Sequence, residues 1–219
     1  MPKIPLRYLL PLVALAVLAI GLQLGALTIA FEKLGLSPDS AFLLFLTILG
    51  GSLVNLPLFS MKSEPPKPED IPPPLRELYS QMPPHTGRTL VLVNVGGCVV
   101  PAAFSLYLLA HHPLNPFYVA LAVAAVALLC FKITRPLPGI GLGAPMLLAP
   151  LMAVLVSVAL DPANAAPLAF ISGTLGVLIG ADLLHLRDIQ RLGTPFASIG
   201  GAGSFDGIFI SGLVAVLLA

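Results

Sequence analysis

Hydrophobic residues in this chain run in long unbroken blocks and do not alternate with polar ones. The blocks cover Tyr8 to Ala30, Ala41 to Phe59, Thr89 to Ala110, Leu114 to Phe131, about Gly139 to Leu160, about Ala163 to Leu184, and Pro195 to Ala219. Most hold about 18 or more residues almost free of charge, the length at which a helix crosses a ~30 Å hydrocarbon core. A transmembrane strand would alternate apolar and polar positions, so helices are the predicted elements. The pattern predicts an all-α, polytopic integral membrane protein with about seven transmembrane helices. The first block follows Lys3 and Arg7, an order shared with signal peptides, but its length and the lack of a convincing cleavage site predict a retained span.

Between Ser60 and Arg88 the pattern breaks. Pro65, Pro66, Pro68, Pro72, Pro73, Pro74, Pro83 and Pro84 stand among charges there, which predicts a loop of polyproline-like extension with at most a short helix at Leu75 to Gln81. Three units follow: residues 1–59 with two helices, the Pro-rich loop 60–88, and a five-helix membrane core over 89–219. No internal repeat is evident, so an inverted-repeat transporter gains no support.

Composition agrees with the blocks. The chain has 219 residues, 57% hydrophobic and 10% charged, with a mean hydropathy of +0.98. Soluble domains carry roughly 25% charged residues. A formal net charge of +1 provides no basic surface for nucleic acid, and Cys98 and Cys130, the only cysteines, lie inside apolar blocks where a disulfide framework is implausible. The basic residues also set an orientation, because Lys and Arg are retained in cytoplasmic loops. With the N-terminus cytoplasmic, Lys3, Arg7, Lys62, Lys67, Arg76, Arg88, Lys132, Arg135, Arg187 and Arg191 fall inside and only Lys33 outside, which puts the C-terminus outside.

Two acids fall at membrane depth, where a charge costs a few kcal/mol on insertion scales and marks a functional site by default. Asp182 ends the sixth block and Asp206 interrupts the seventh, within Gly200-Gly201-Ala202-Gly203-Ser204-Phe205-Asp206-Gly207. At ~1.5 Å of rise per residue, Asp206 lies about 20 Å below the outer end of its helix and Asp182 about 22 Å below Pro167, so the two reach one level. Two carboxylates close together in low dielectric share a proton, one serving as base and one as acid, which is the equipment of an aspartyl hydrolase. Gly200, Gly201 and Gly203, with Ser204, are expected to break the last helix, admit water and let a substrate backbone approach. The competing structural readings are that Asp182 ends a helix or pairs with Arg187, that Asp206 caps a helix, and that the glycines form a packing seam.

Asn94 precedes Gly96-Gly97 and is a candidate for lining the substrate cavity, although it and Asn55 can equally hydrogen-bond between helices. His185 and Asp188 follow Asp182 at i+3 and i+6, but with no second histidine at depth an interfacial histidine is the better reading. The same holds for His111 and His112 in an outer turn. Neither a metal nor a cofactor is expected. Arg135-Pro136-Leu137-Pro138-Gly139-Ile140-Gly141-Leu142-Gly143 reads as an irregular entry to the fifth span.

Val93-Asn94-Val95-Gly96-Gly97, Arg135-Pro136-Leu137-Pro138-Gly139, Gly180-Ala181-Asp182-Leu183-Leu184 and Ser198 through Phe209 together resemble a prokaryotic multi-pass membrane family known as domain of unknown function 1614. That resemblance implies the prokaryotic plasma membrane and no activity. More distantly, two aspartates on consecutive helices are similar to the presenilin and signal-peptide-peptidase type of intramembrane protease, although that type has Gly-x-Gly-Asp and here Ser204 and Phe205 intervene. The leading expectation is hydrolysis of a membrane-embedded peptide by Asp182 and Asp206. The alternatives are a proton- or cation-coupled transporter or channel using the same acids, and a non-enzymatic scaffold that offers residues 60–88 to a cytoplasmic partner.

Overall fold

The structure is a computed structural model describing residues 25, 28–65, 80, 86–137, 141–143, 147–201 and 212–219. It is mostly helical. After helical residues 28–33, helix α1 spans Pro38–Gly51, with Pro38 in its first turn and the Ser37 hydroxyl accepting from the Ser40 N–H. Helix α2 spans Val95–His111, α3 Pro116–Ile133, α4 Leu148–Leu160 and α5 Pro162–Leu183. A short α6 covers Ile189–Leu192, and residues 212–218 form the terminal helix α7.

Two of these helices, α3 and α5, are long and apolar enough to cross a membrane. Both starts are written in the sequence. The Asn115 side chain accepts from the Phe117 N–H ahead of Pro116, and Asp161 accepts from the Asn164 N–H around Pro162. At about 1.5 Å per residue α5 reaches about 33 Å. It is the central helix: Leu168, Ala169, Phe170 and Ile171 are all fully buried, and α3, α4 and α2 pack around it.

The expectation of an all-helical chain is corrected by two small sheets. Strand β1 (Asn55–Lys62) pairs antiparallel with β2 (Arg88–Asn94), and β2 pairs parallel with β5 (Phe196–Ile199), giving the order β1-β2-β5. Strands β3 (Arg135–Leu137) and β4 (Gly141–Gly143) form a hairpin where an irregular entry was expected. Three blocks read as continuous helices are therefore composite. The second is helical only to Gly51 and then becomes β1, the third is strand to Asn94 before α2 begins, and the last begins as β5.

The causes are local. Pro57 carries no N–H for a helix, and the ladder shifts register between Pro57 and Phe59. Thr89, Val91 and Val93 are β-branched and favour extended backbone. One face of the sheet is apolar, with Val91 and Ile199 packed in a cluster with Val177, Leu178 and Ala181 at the end of α5. This packing binds the strands to the helical core. The pairing of Lys62 with Arg88 closes both ends of the Pro-rich segment into one hairpin.

Candidate functional site

The end of α5 is built to come close to its neighbours. A Cβ on Gly176 would lie 2.6 Å from the Val126 side chain, and one on Gly180 would lie 2.8 Å from Ala127 Cα and from the Cys130 side chain. Only glycine allows α5 to seat this tightly on α3. From Leu178 to Leu183 the helix widens into a π-turn, a distortion often found at functional sites. Asp182 sits in that turn and is buried.

The partner of its carboxylate comes from the last block. Gly200 has φ +67°, in the left-handed region that glycine adopts without strain, and ends β5 in a tight turn. Its N–H donates to Asp182 Oδ2 at 3.0 Å. Gly200 is itself held against the start of α2, where a Cβ would meet Cys98 Cβ at 2.6 Å. On the same side, a Cβ on Gly97 would lie 2.9 Å from the Gly200 carbonyl carbon. Gly201 closes the turn, its N–H donating to the Ser198 carbonyl at 3.2 Å.

Asn94, the N-cap residue of α2, is 3% exposed. Its Oδ1 accepts the Gly97 N–H at 2.7 Å, and its Nδ2 donates to the Ser52 carbonyl at 2.7 Å and to Asn55 Oδ1 at 3.2 Å. Asn55 Oδ1 also accepts from Ser198 Oγ at 2.7 Å. One asparagine thus ties the end of α1, the start of β1, the first turn of α2 and, through Asn55, strand β5. Gly96 lies so close to α1 that a Cβ would stand 2.8 Å from the Gly51 carbonyl carbon.

The structure brings together Asp182, Gly200, Gly201 and Asn94 from the expected site. Asn94 does so as a tie between segments, with its Oδ1 and both Nδ2 hydrogens engaged. Gly203, Ser204 and Asp206 lie outside the described residues. The glycine run is preceded by a strand, so the part of the break that can be seen is a strand-to-turn junction at Gly200, whereas a helix had been expected there. His185, expected at the interface, is buried, and its Nδ1–H donates to the Gly180 carbonyl at 3.0 Å with the ring against Phe131. That bond takes up the carbonyl two residues before Asp182 and finishes the π-turn. Ser198 and Gly97 were not singled out as site residues, because their part in the site depends on β5 and β2 lying side by side.

The segments that touch here carry three of the four motifs on which the family resemblance rests. The model of a family described as "Protein of unknown function (DUF1614)" matches residues 49–218. No curated protein and no solved structure matches the chain.

Proposed function

We propose that this chain, which belongs to the DUF1614 family, is a multi-pass protein of the prokaryotic plasma membrane that hydrolyses a membrane-embedded peptide with Asp182 and Asp206. The observation that carries this reading is the Gly200 N–H on Asp182 Oδ2. It fixes the start of the glycine run on a buried carboxylate, and Asp206 follows Gly200 by six residues, no more than about 20 Å of fully extended chain. Hydrocarbon-like surroundings give a carboxylate reason to hold a proton, and a second carboxylate in the same place gives it a partner to share one with.

In this reading one aspartate removes a proton from a water whose oxygen attacks the scissile carbonyl carbon. The other donates its proton to the carbonyl oxygen, giving a neutral tetrahedral diol. Collapse breaks the C–N bond, returns one hydroxyl proton to a carboxylate and delivers a proton to the departing amine. The substrate must present extended backbone, since a helix buries its carbonyls in its own hydrogen bonds. Among the described residues Asp182 accepts the Gly200 N–H, and a carboxylate with one such bond has further lone pairs for water and proton exchange.

The test is reconstitution of the purified full chain in bilayers with a membrane-spanning reporter peptide. Cleavage that disappears in both Asp182→Asn and Asp206→Asn supports the assignment. Proton flux across the same bilayers without cleavage, lost in the same variants, would instead establish a transporter.

A further inference from the structure

The amide of Asn94 is engaged at both ends: Oδ1 accepts the Gly97 N–H, and the two Nδ2 hydrogens go to Ser52 O and Asn55 Oδ1. Both N–H donors of this side chain are taken up by the protein's own backbone and side chains, and it stands where β2 and β5 end, β1 begins and α2 starts. We infer that Asn94 is the positioning residue of Asp182, acting through the Gly97–Gly200 contact to hold the Gly200 N–H on the Asp182 carboxylate. The inference deepens the reading of Asp182 as a working acid, but its test does not depend on hydrolysis.

The sequence of contacts has two steps. Asn94 is the N-cap of α2, and its Oδ1 fixes the orientation of the Gly97 peptide. Gly97 lies in direct contact with the Gly200 carbonyl, so a shift of Gly97 displaces the Gly200 turn. On the other side of Asn94, Asn55 Oδ1 receives both Asn94 Nδ2 and Ser198 Oγ, which holds β5 in line with Asn94 two residues before Gly200. Both routes meet at Gly200, whose one N–H is spent on Asp182. Interiors are close-packed, so a displacement at Gly97 is carried to Gly200 and is not absorbed between them.

The experiment reads Asp182 directly, by infrared spectroscopy of the full chain in lipid bilayers. The difference between wild type and Asp182→Asn isolates the carboxyl C=O stretch of Asp182 in its protonated form at acidic pH. A C=O that loses a hydrogen bond stretches at higher wavenumber. The expected result is an upward shift of this band in Asn94→Ala and in Gly97→Ala, the second reached with Asn94 intact. Asn94→Ser, which restores an acceptor for the Gly97 N–H, should return the band toward its wild-type position. Ser105→Ala, which breaks a buried bond to the Pro101 carbonyl elsewhere in α2, should leave the band where it is. Should wild-type cleavage be found, the Asn94→Ala loss falls on kcat, on the order of a hundredfold as for a displaced reacting group, with KM held. An unshifted Asp182 band in folded Asn94→Ala or in folded Gly97→Ala overturns the inference, and so does a Ser105→Ala shift of equal size. Absence of hydrolysis with the band shifts intact would overturn only the protease reading.

Discussion

Gly200 N–H donates to Asp182 Oδ2 at 3.0 Å across 18 positions of chain. This contact joins the end of α5 to the turn that opens the glycine run, and it requires a backbone with positive φ on one side and a widened helical turn on the other.

Gly200→Ala should therefore be costly twice over. A left-handed φ costs a non-glycine residue roughly 1–2 kcal/mol, and a Cβ pressed onto Cys98 adds overpacking of about 1–3 kcal/mol. Thermal unfolding in detergent should fall well below that of wild type. A melting temperature equal to wild type would mean that Gly200 is not held in this turn.

The glycines of the helices make a contrast that a single pair of variants can test. Gly180→Ala places a methyl on Ala127 and Cys130, and should lose about 1–3 kcal/mol. Gly50→Ala meets nothing within 4 Å in α1, and should gain up to about 1 kcal/mol from helix propensity and reduced unfolded-state freedom. Equal melting temperatures for the two variants would refute the close α3–α5 packing.

Lys33 Nζ donates to the carbonyls of Val216 and Leu217, each at 3.3 Å, and so binds the end of α7 to the segment before α1. Cysteines placed at Lys33 and Ala219 should react from the same side of the membrane, the external side by the charge pattern. Labelling from opposite sides would contradict both this contact and the topology expected from the charge pattern.

Much of the helical part of this fold is legible in the sequence, and the strands are not. Asn115-Pro116 and Asp161-Pro162 announce α3 and α5 because a capping side chain and a first-turn proline act within a few residues. Asn55–Lys62 and Arg88–Asn94 lie inside apolar runs, where period alone does not separate a strand from a buried helix, and Pro57 and the β-branched Thr89, Val91 and Val93 were the local warnings. Asp182 stood out through the cost of an acid in an apolar block. Its partner Gly200 could be found only once β5 was placed against β2, since nothing local distinguishes it from Gly201. Asn94 was visible as a polar residue in an apolar run, but its role as a tie comes from contacts with Ser52 and Asn55, 42 and 39 positions away, and through Asn55 with Ser198.

His185→Phe should keep the ring against Phe131 and lose the bond to the Gly180 carbonyl, with a loss of about 1 kcal/mol. The readout is thermal unfolding beside His185→Asn, whose amide can still donate. If the phenylalanine and asparagine variants are equally stable, the bond does not close the π-turn.

The central claim is that Asp182 and Asp206 act as one unit. Its most direct measurement is the rate of reporter-peptide cleavage by purified Asp182→Asn, Asp206→Asn and the double variant, each with its fold verified. Groups that share one proton are lost together, so each single variant should fall by about four orders of magnitude and the double should fall no further. A single variant that cleaves at the wild-type rate, or a double variant whose loss is the product of two partial losses, would contradict the account.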